Sequence, residues 1–171
     1  ASGGNRFDLG MLCYGPQVWA SDNTDPISRL EIQGSLSYLY PQSTFGAHVS
    51  AAPHSQTLRN TPLTTRGNVS FFGCLGYELD LKHLVAVEVK EVQKQTAFYK
   101  QYRSVFQYGT FTRRDLGWQV TDGNVTIAGV FHGLQSAAPG YDRLRVFGLD
   151  SEKVYTVQSQ TQAIRVGQLG N

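Results

Sequence analysis

Charge is scarce in this chain. Only 16% of its 171 residues are Asp, Glu, Lys or Arg, and 15 basic residues against 13 acidic leave a formal charge of +2. No basic stripe is visible, which argues against a nucleic-acid groove or an anionic membrane surface as partner. Cysteine is rarer still: Cys13 and Cys74 are the two in the chain. They form no CxxC or zinc-type spacing, which excludes a disulfide scaffold as the basis of the fold. They read as free, partly buried thiols in a reducing compartment, hence a cytoplasmic protein. No apolar run approaches the roughly 18 residues of a membrane span. A secretory signal is also missing, as is an initiator methionine, and the opening ASGGNRFDLG reads as the start of a piece of something longer. The triplets at Asn68 and Asn124 fit a glycosylation pattern at a frequency near chance.

Glycine (18 residues) and aromatic side chains (12%) are plentiful, a mixture suited to tight turns and a ring-lined polar cleft. Residues 17–20 read as a short buried strand. Asp25 stands where a helix N-cap belongs, and Pro26 takes the first helical position, where a missing N–H costs nothing. Ile27, Leu30 and Gly34 then share a face, and Pro41 marks the stop. A second buried strand is expected within 44–53, and Thr61 before Pro62 repeats the cap-then-proline signal. CLGYELDL reads as a third strand, at 75–80. Val85, Val89, Val92, Tyr99, Tyr102 and Phe106 recur at helical spacing, so a helix is expected over 84–106.

Alternation of strand and helix in this manner makes a parallel sheet, of which a barrel is one closure. Beyond QYGTF the pattern changes to short β-rich pieces: GWQVT, VTIAGVFHGL, DRLRVFGL and KVYTVQSQ. Breaks such as Asp122-Gly123 and Pro139-Gly140 punctuate them in the manner of hairpins. The fold class expected is α/β followed by β, with a boundary between 1–108 and 109–171.

The stretch PQVWASDNTDPISRLEIQG holds two carboxylates of different standing. Asp25 has a structural task as N-cap, worth about 0.5–2 kcal/mol. Asp22 has none in the local pattern. It follows an apolar strand, at the end where barrel enzymes place catalytic groups, although a loop or capping role stays open from spacing alone. Trp19 offers an apolar surface that could stack on a substrate and disfavour the charged form of a neighbouring carboxyl. A metal reading of His48, His54, His83 and His132 fails for want of ligand spacing. His48 is left as a donor behind a site or a satisfied core histidine. Cys74, within FFGCLG, reads as a packed thiol and Trp118 as core; Tyr14, Tyr38 and Tyr40 could flank a sugar site, although most aromatic residues in such a fold are core.

The strings ASGGNRFDLGML, PQVWASDNTDPISRLEIQGS, FGAHVSAAPHSQTLRNTPLTTRGNVSFFGCLGYELDL and KEVQKQTAFYKQYR together closely resemble the bacterial α-galactosidases of glycoside hydrolase family 36. The resemblance is dense over 1–115 and looser in the β-rich tail. It implies the C-terminal part of a catalytic (β/α)8 TIM barrel, with residues 17–20, 44–50 and 75–80 as its sixth to eighth strands, and then an antiparallel β-sandwich, incomplete here. It further implies a retaining mechanism, α-galactoside substrates such as melibiose and raffinose, no cofactor or metal, and a homo-oligomer, a tetramer in the family. Asp22 falls on the family's general acid/base. Ser2, Gly3 and Gly4 fall on a glycine-rich loop beside the galactose ring, and Trp19 is a further candidate for substrate binding. The family's nucleophilic aspartate, in a Lys-Trp-Asp string, has no counterpart here, so the 171 residues alone are expected to be inactive and to self-associate. Activity of the isolated chain would instead implicate Asp8 or Asp80 as nucleophile. Two other functions remain: a non-catalytic carbohydrate-binding or scaffold module, which would tolerate Asp22→Asn, and a transglycosylating relative acting on raffinose-type sugars.

Overall fold

A computed structural model describes residues 8–114, 117–132, 137–138, 140 and 143–159. Three helices and five strands organise them. In chain order they are α1 (Pro26–Leu36), β1 (Gly46–Ser50), α2 (Leu63–Ser70), β2 (Cys74–Glu78), α3 (Ala86–Tyr108), β3 (Thr110–Arg114), β4 (Gly117–Thr121) and β5 (Thr126–Val130).

β1 and β2 pair in parallel, with His48 opposite Gly76 and Ser50 opposite Glu78. The segment expected as a strand at 17–20 contributes a single parallel bridge, Val18 with Phe45. Val18 N–H donates to Thr44 O at 2.7 Å, and Gly46 N–H to Val18 O at 3.0 Å. The ladder stops there because the next residues turn away to form the entrance to α1. Three parallel segments therefore lie side by side in chain order, with α2 and α3 packed against them.

Pleating sorts the side chains of β1. Ala47 and Val49 are fully buried, while His48, between them, points to the opposite side. Tyr77 of β2 donates its hydroxyl to Gln95 of α3, which puts α3 on the face shared by Ala47, Val49 and Tyr77. Tyr99 ties α3 to the start of β2: its hydroxyl donates to Gly73 O and accepts from Leu75 N–H and Gln107.

Several boundaries differ from the sequence pattern. The second strand is confined to Gly46–Ser50, because 42–44 form a 3-10 turn, and the third ends at Glu78. Pro62, not Thr61, is the N-cap of α2, and no side chain caps that helix. α3 begins two residues later than expected, with the Glu88 carboxylate accepting from Val85 N–H, and runs on to Tyr108 through a non-helical residue at Tyr102. Val85 and Val89 are exposed, and Gln95, Tyr99, Val105 and Phe106 form its buried positions. In α1, Ile27 is exposed and the inward positions are Arg29, Gln33 and Gly34. A polar face can turn inward here because carbonyls await it. Gln33 Nε2 donates to Val69 O and Phe72 O, carbonyls at and just beyond the C-terminal end of α2.

β3, β4 and β5 form a separate antiparallel sheet in sequential order. β4 coincides with GWQVT. TFTRR, which carries no clear alternation, becomes its partner β3. Asp122 shapes the β4–β5 turn by accepting from Asn124 and Val125 N–H, with Gly123 at φ 89°. Pro139 lies outside the described residues. Residues 143–159, covering most of DRLRVFGL and KVYTVQSQ, are irregular rather than extended strands, and among the described residues no second sheet faces β3–β5 to make a sandwich. The three strands bury their apolar side against the helices instead. One cluster joins Val69, Phe71, Phe72, Tyr99 and Phe106 to Trp118 and Val120. Arg113 adds a hydrogen bond to Gly34 O and lies 3.0 Å from the centre of the Tyr38 ring.

Tyr40 belongs to the core, whereas Tyr14 and Tyr38 are exposed. Cys74 is half-buried, its thiol donating to Ser43 O at 3.2 Å and pushed above its usual pKa by burial, whereas Cys13 is exposed. Among the described residues, no helix is long and apolar enough to cross a membrane.

Candidate active site

The carboxyl ends of the parallel segments gather the residues of interest. Past Val18 the Trp19 ring lies against Gly46. A Cβ on Gly46 would come within 2.9 Å of the indole, so glycine is what allows the ring to rest on backbone. His48 meets Trp19 edge-on, with ring centres 4.4 Å apart. Gly76 opens room for His48 in turn, since a Cβ there would sit 2.6 Å from its Nε2. The guanidinium of Arg29 stands 5.6 Å from the Trp19 ring centre. From this platform Trp19 Nε1–H donates to Asp22 Oδ1 at 2.9 Å. Trp19 thus addresses Asp22 through a hydrogen bond at its edge rather than as an apolar wall.

Every other side chain of Ser21–Asp25 is spent on holding the turn. Ser21 Oγ accepts from Asn23 N–H, and Asn23 Oδ1 accepts from Asp25 N–H. Thr24 Oγ1 meets His54 Nε2 at 3.2 Å. Asp25 Oδ2 accepts from Ser28 N–H and Ser28 Oγ, capping α1 as its position suggests, and pairs with Arg59. Arg29 reaches back along α1 to donate to Ser21 O at 2.8 Å and to Gly46 O at 3.2 Å. It thereby ties the turn to β1. Asp22 alone in the string is exposed.

Arg29 is 2% exposed, and burial draws its pKa down to about 10, with the charges of Glu78 and Asp22 opposing the fall. It therefore stays charged at neutral pH and sets a fixed positive centre behind the site. His48 is pulled below its ordinary value by burial first; Glu78 works the other way and Arg29 adds to the fall. At neutral pH its ring is uncharged. Asp22 is thus an exposed carboxyl held by an indole N–H on a braced turn, a group able to give a proton to a ligand atom and take one back.

Ser2, Gly3 and Gly4 lie outside the described residues. Asp8 and Asp80 each accept from a backbone N–H at the start of a 3-10 turn, from Gly10 and Lys82 respectively. Among the described residues no group of three His, Cys, Asp or Glu could hold a metal ion. A cleft of about 600 Å3 lies elsewhere, where α3 meets β3, lined by Tyr108, Thr110, Thr121 and Asp122 among others but by none of Trp19–Asp22. Arg29, His54, Arg59 and Glu78 were not legible as site residues. The partners of the first three lie in other segments, and Glu78 enters only through the parallel register.

A family model described as Melibiase covers residues 1–109. The chain belongs to the melibiase family. Among curated relatives, α-galactosidase AgaA of Geobacillus stearothermophilus is 42% identical over 167 residues, which is 92% of this chain and 23% of AgaA. Mel36A of Lactobacillus acidophilus is 43% identical over 91% of this chain and 22% of its own. This melibiase chain thus spans less than a quarter of the length of these relatives. Among solved structures, the α-galactosidase from Lactobacillus brevis superimposes with a TM-score of 0.83 at 48% identity, covering 87% of this chain and 22% of that one. AgaA, whose structures are named as glycoside hydrolase family 36, gives 0.82 at 44% identity with 87% and 22% covered. Variants of AgaA have been crystallised with raffinose and with stachyose.

Proposed function

We propose that this chain is the C-terminal part of a retaining α-galactosidase and that Asp22 is its general acid/base. One observation carries the assignment: within a melibiase chain, Asp22 is the exposed carboxylate of a turn whose other side chains are all engaged. Residues 1–108 then form the end of the (β/α)8 barrel and 109–171 the start of a β-sandwich. Ser2, Gly3, Gly4 and Trp19 border the galactose ring. The substrates are terminal α-galactosides of the melibiose and raffinose type, as the sugar complexes of AgaA suggest. The resemblance extends the proposal to a homo-oligomer, and the free thiols to a cytoplasmic setting.

A retaining hydrolase works with two carboxyl groups about 5–5.5 Å apart. In the first step a carboxylate from a preceding segment bonds to the anomeric carbon as the glycosidic C–O bond breaks. Protonated Asp22 gives its proton to the departing oxygen. In the second step Asp22, now a carboxylate, takes a proton from water as that water displaces the enzyme ester. Trp19 Nε1–H orients the carboxyl throughout, and Arg29, through Ser21 O and Gly46 O, keeps the turn in register with the sheet.

The test is Asp22→Ala in the full-length protein. Turnover of galactosides with poor leaving groups should collapse, while that of galactosides with very good leaving groups is largely spared. Azide should restore part of the rate and yield an α-galactosyl azide, because it displaces the β-linked enzyme ester with a second inversion. Equal losses on all substrates without rescue would refute the role, and full activity of Asp22→Asn would favour a binding module.

A further inference from the structure

The loop after β1 contains a buried histidine that the chemistry above does not use. His54 N–H donates to Arg59 O, and His54 O accepts from Leu58 N–H, so 54–59 closes on itself. Nδ1 of its ring faces the backbone N–H groups of Gln56 and Thr57, both at 3.3 Å. Backbone amides only donate, so Nδ1 must offer its lone pair and the ring proton sits on Nε2. Nε2–H then donates to Thr24 Oγ1 at 3.2 Å, between two buried side chains. Thr24 stands two residues beyond Asp22. One residue further, Asp25 meets Arg59 from the same loop. The tautomer is therefore fixed from the loop side, and the imidazole forms a rigid strut between the loop and the turn.

We infer that His54 is a positioning residue for the Asp22 carboxyl, acting through Thr24 and never touching substrate. The inference rests on the acid/base role of Asp22. Its consequence is selective. A loosened turn misplaces the proton donor, which matters when the leaving oxygen needs a proton and matters little when it does not. A shift of about 1 Å at a catalytic group costs on the order of a hundredfold in rate, and with Arg59, Arg29 and Trp19 still in place a smaller loss follows.

Two substitutions cut the strut while sparing the loop. His54→Asn keeps an oxygen near Nδ1 for the amides of Gln56 and Thr57 but cannot reach Thr24. Thr24→Val keeps shape and removes the acceptor. The readout, in the full-length protein, is kcat/KM for an α-galactoside with a sugar leaving group divided by that for a nitrophenyl α-galactoside. This ratio is independent of how much of each preparation is folded. Both variants should lower it about tenfold, less than the misplacement limit, Thr24→Ser should restore it, and the double variant should be no worse than either single one. If His54→Asn fails to fold, Thr24→Val and Thr24→Ser decide alone. A ratio unchanged in Thr24→Val overturns the inference, provided Asp22→Ala lowers it in the same assay. If Asp22→Ala also leaves the ratio unchanged, the acid/base reading falls and the strut with it.

Discussion

Asp25→Asn is the substitution for which local and tertiary reasoning give different magnitudes. As an N-cap alone, Asn replaces Asp at almost no cost, because its side-chain oxygen still accepts from Ser28. In the folded chain, however, Asp25 is 0% exposed and faces Arg59, whose side chain is 43% exposed. The change turns an ion pair into a hydrogen bond from the charged guanidinium to a neutral amide oxygen, a loss of about 1–1.5 kcal/mol. Asp25 Oδ1 has no hydrogen-bond partner among the described residues, so an amide nitrogen in its place forfeits none. Arg59→Met is the harsher change: it strands a fully buried carboxylate with only Ser28 to answer it. Breaking a buried pair from one side costs about 3–5 kcal/mol, and the lower end applies because the arginine end is already in water. Combining the two removes the stranded charge, so the double variant should be more stable than Arg59→Met alone. Calorimetric unfolding of the full-length protein at one scan rate, with all three variants, measures the order. If Asp25→Asn proves as damaging as Arg59→Met, or the double variant is the least stable, then uncompensated charge is not the governing term. Turnover adds a second reading, since Asp25→Asn should stay within a few-fold of wild type. Loss of activity there, with activity kept in Asp22→Asn, would mean the two aspartates are assigned in reverse.

The lowered pKa of His48 has a sign that can be measured. A histidine that resists protonation when folded leaves the unfolded chain holding more protons at mildly acidic pH. Its contribution is therefore complete above the ordinary value of 6.5 and is lost as pH falls through the lower folded value; unfolding midpoints against pH should show this slope, and His48→Phe should flatten it. Tyr99→Phe removes the hydroxyl that joins Gly73 O, Leu75 N–H and Gln107, which should cost about 1–3 kcal/mol in the same calorimetry; a neutral result would mean water replaces the hydroxyl without loss.

What the sequence determined is what neighbours along the chain decide between themselves. Asp25 followed by Pro26 predicts both the start of α1 and the capping bond to Ser28, because donor and acceptor are three residues apart. Asp122-Gly123 predicts the β4–β5 turn for the same reason. The strings of the first 109 residues are enough to place the chain in its family. Other features needed the folded chain. Residues 17–20 are apolar enough for a strand, yet pairing belongs to two segments at once, and only Val18 meets Phe45. α1 turns Arg29 and Gln33 inward rather than Ile27 because Gly46, Val69 and Phe72 offer carbonyls there, 17 to 39 residues further along the chain. Trp19 can present its N–H to Asp22 because Gly46, on another strand, leaves space for its ring. Which buried polar group finds which partner depends on how distant segments close upon one another, and hydrophobic periodicity carries no record of that.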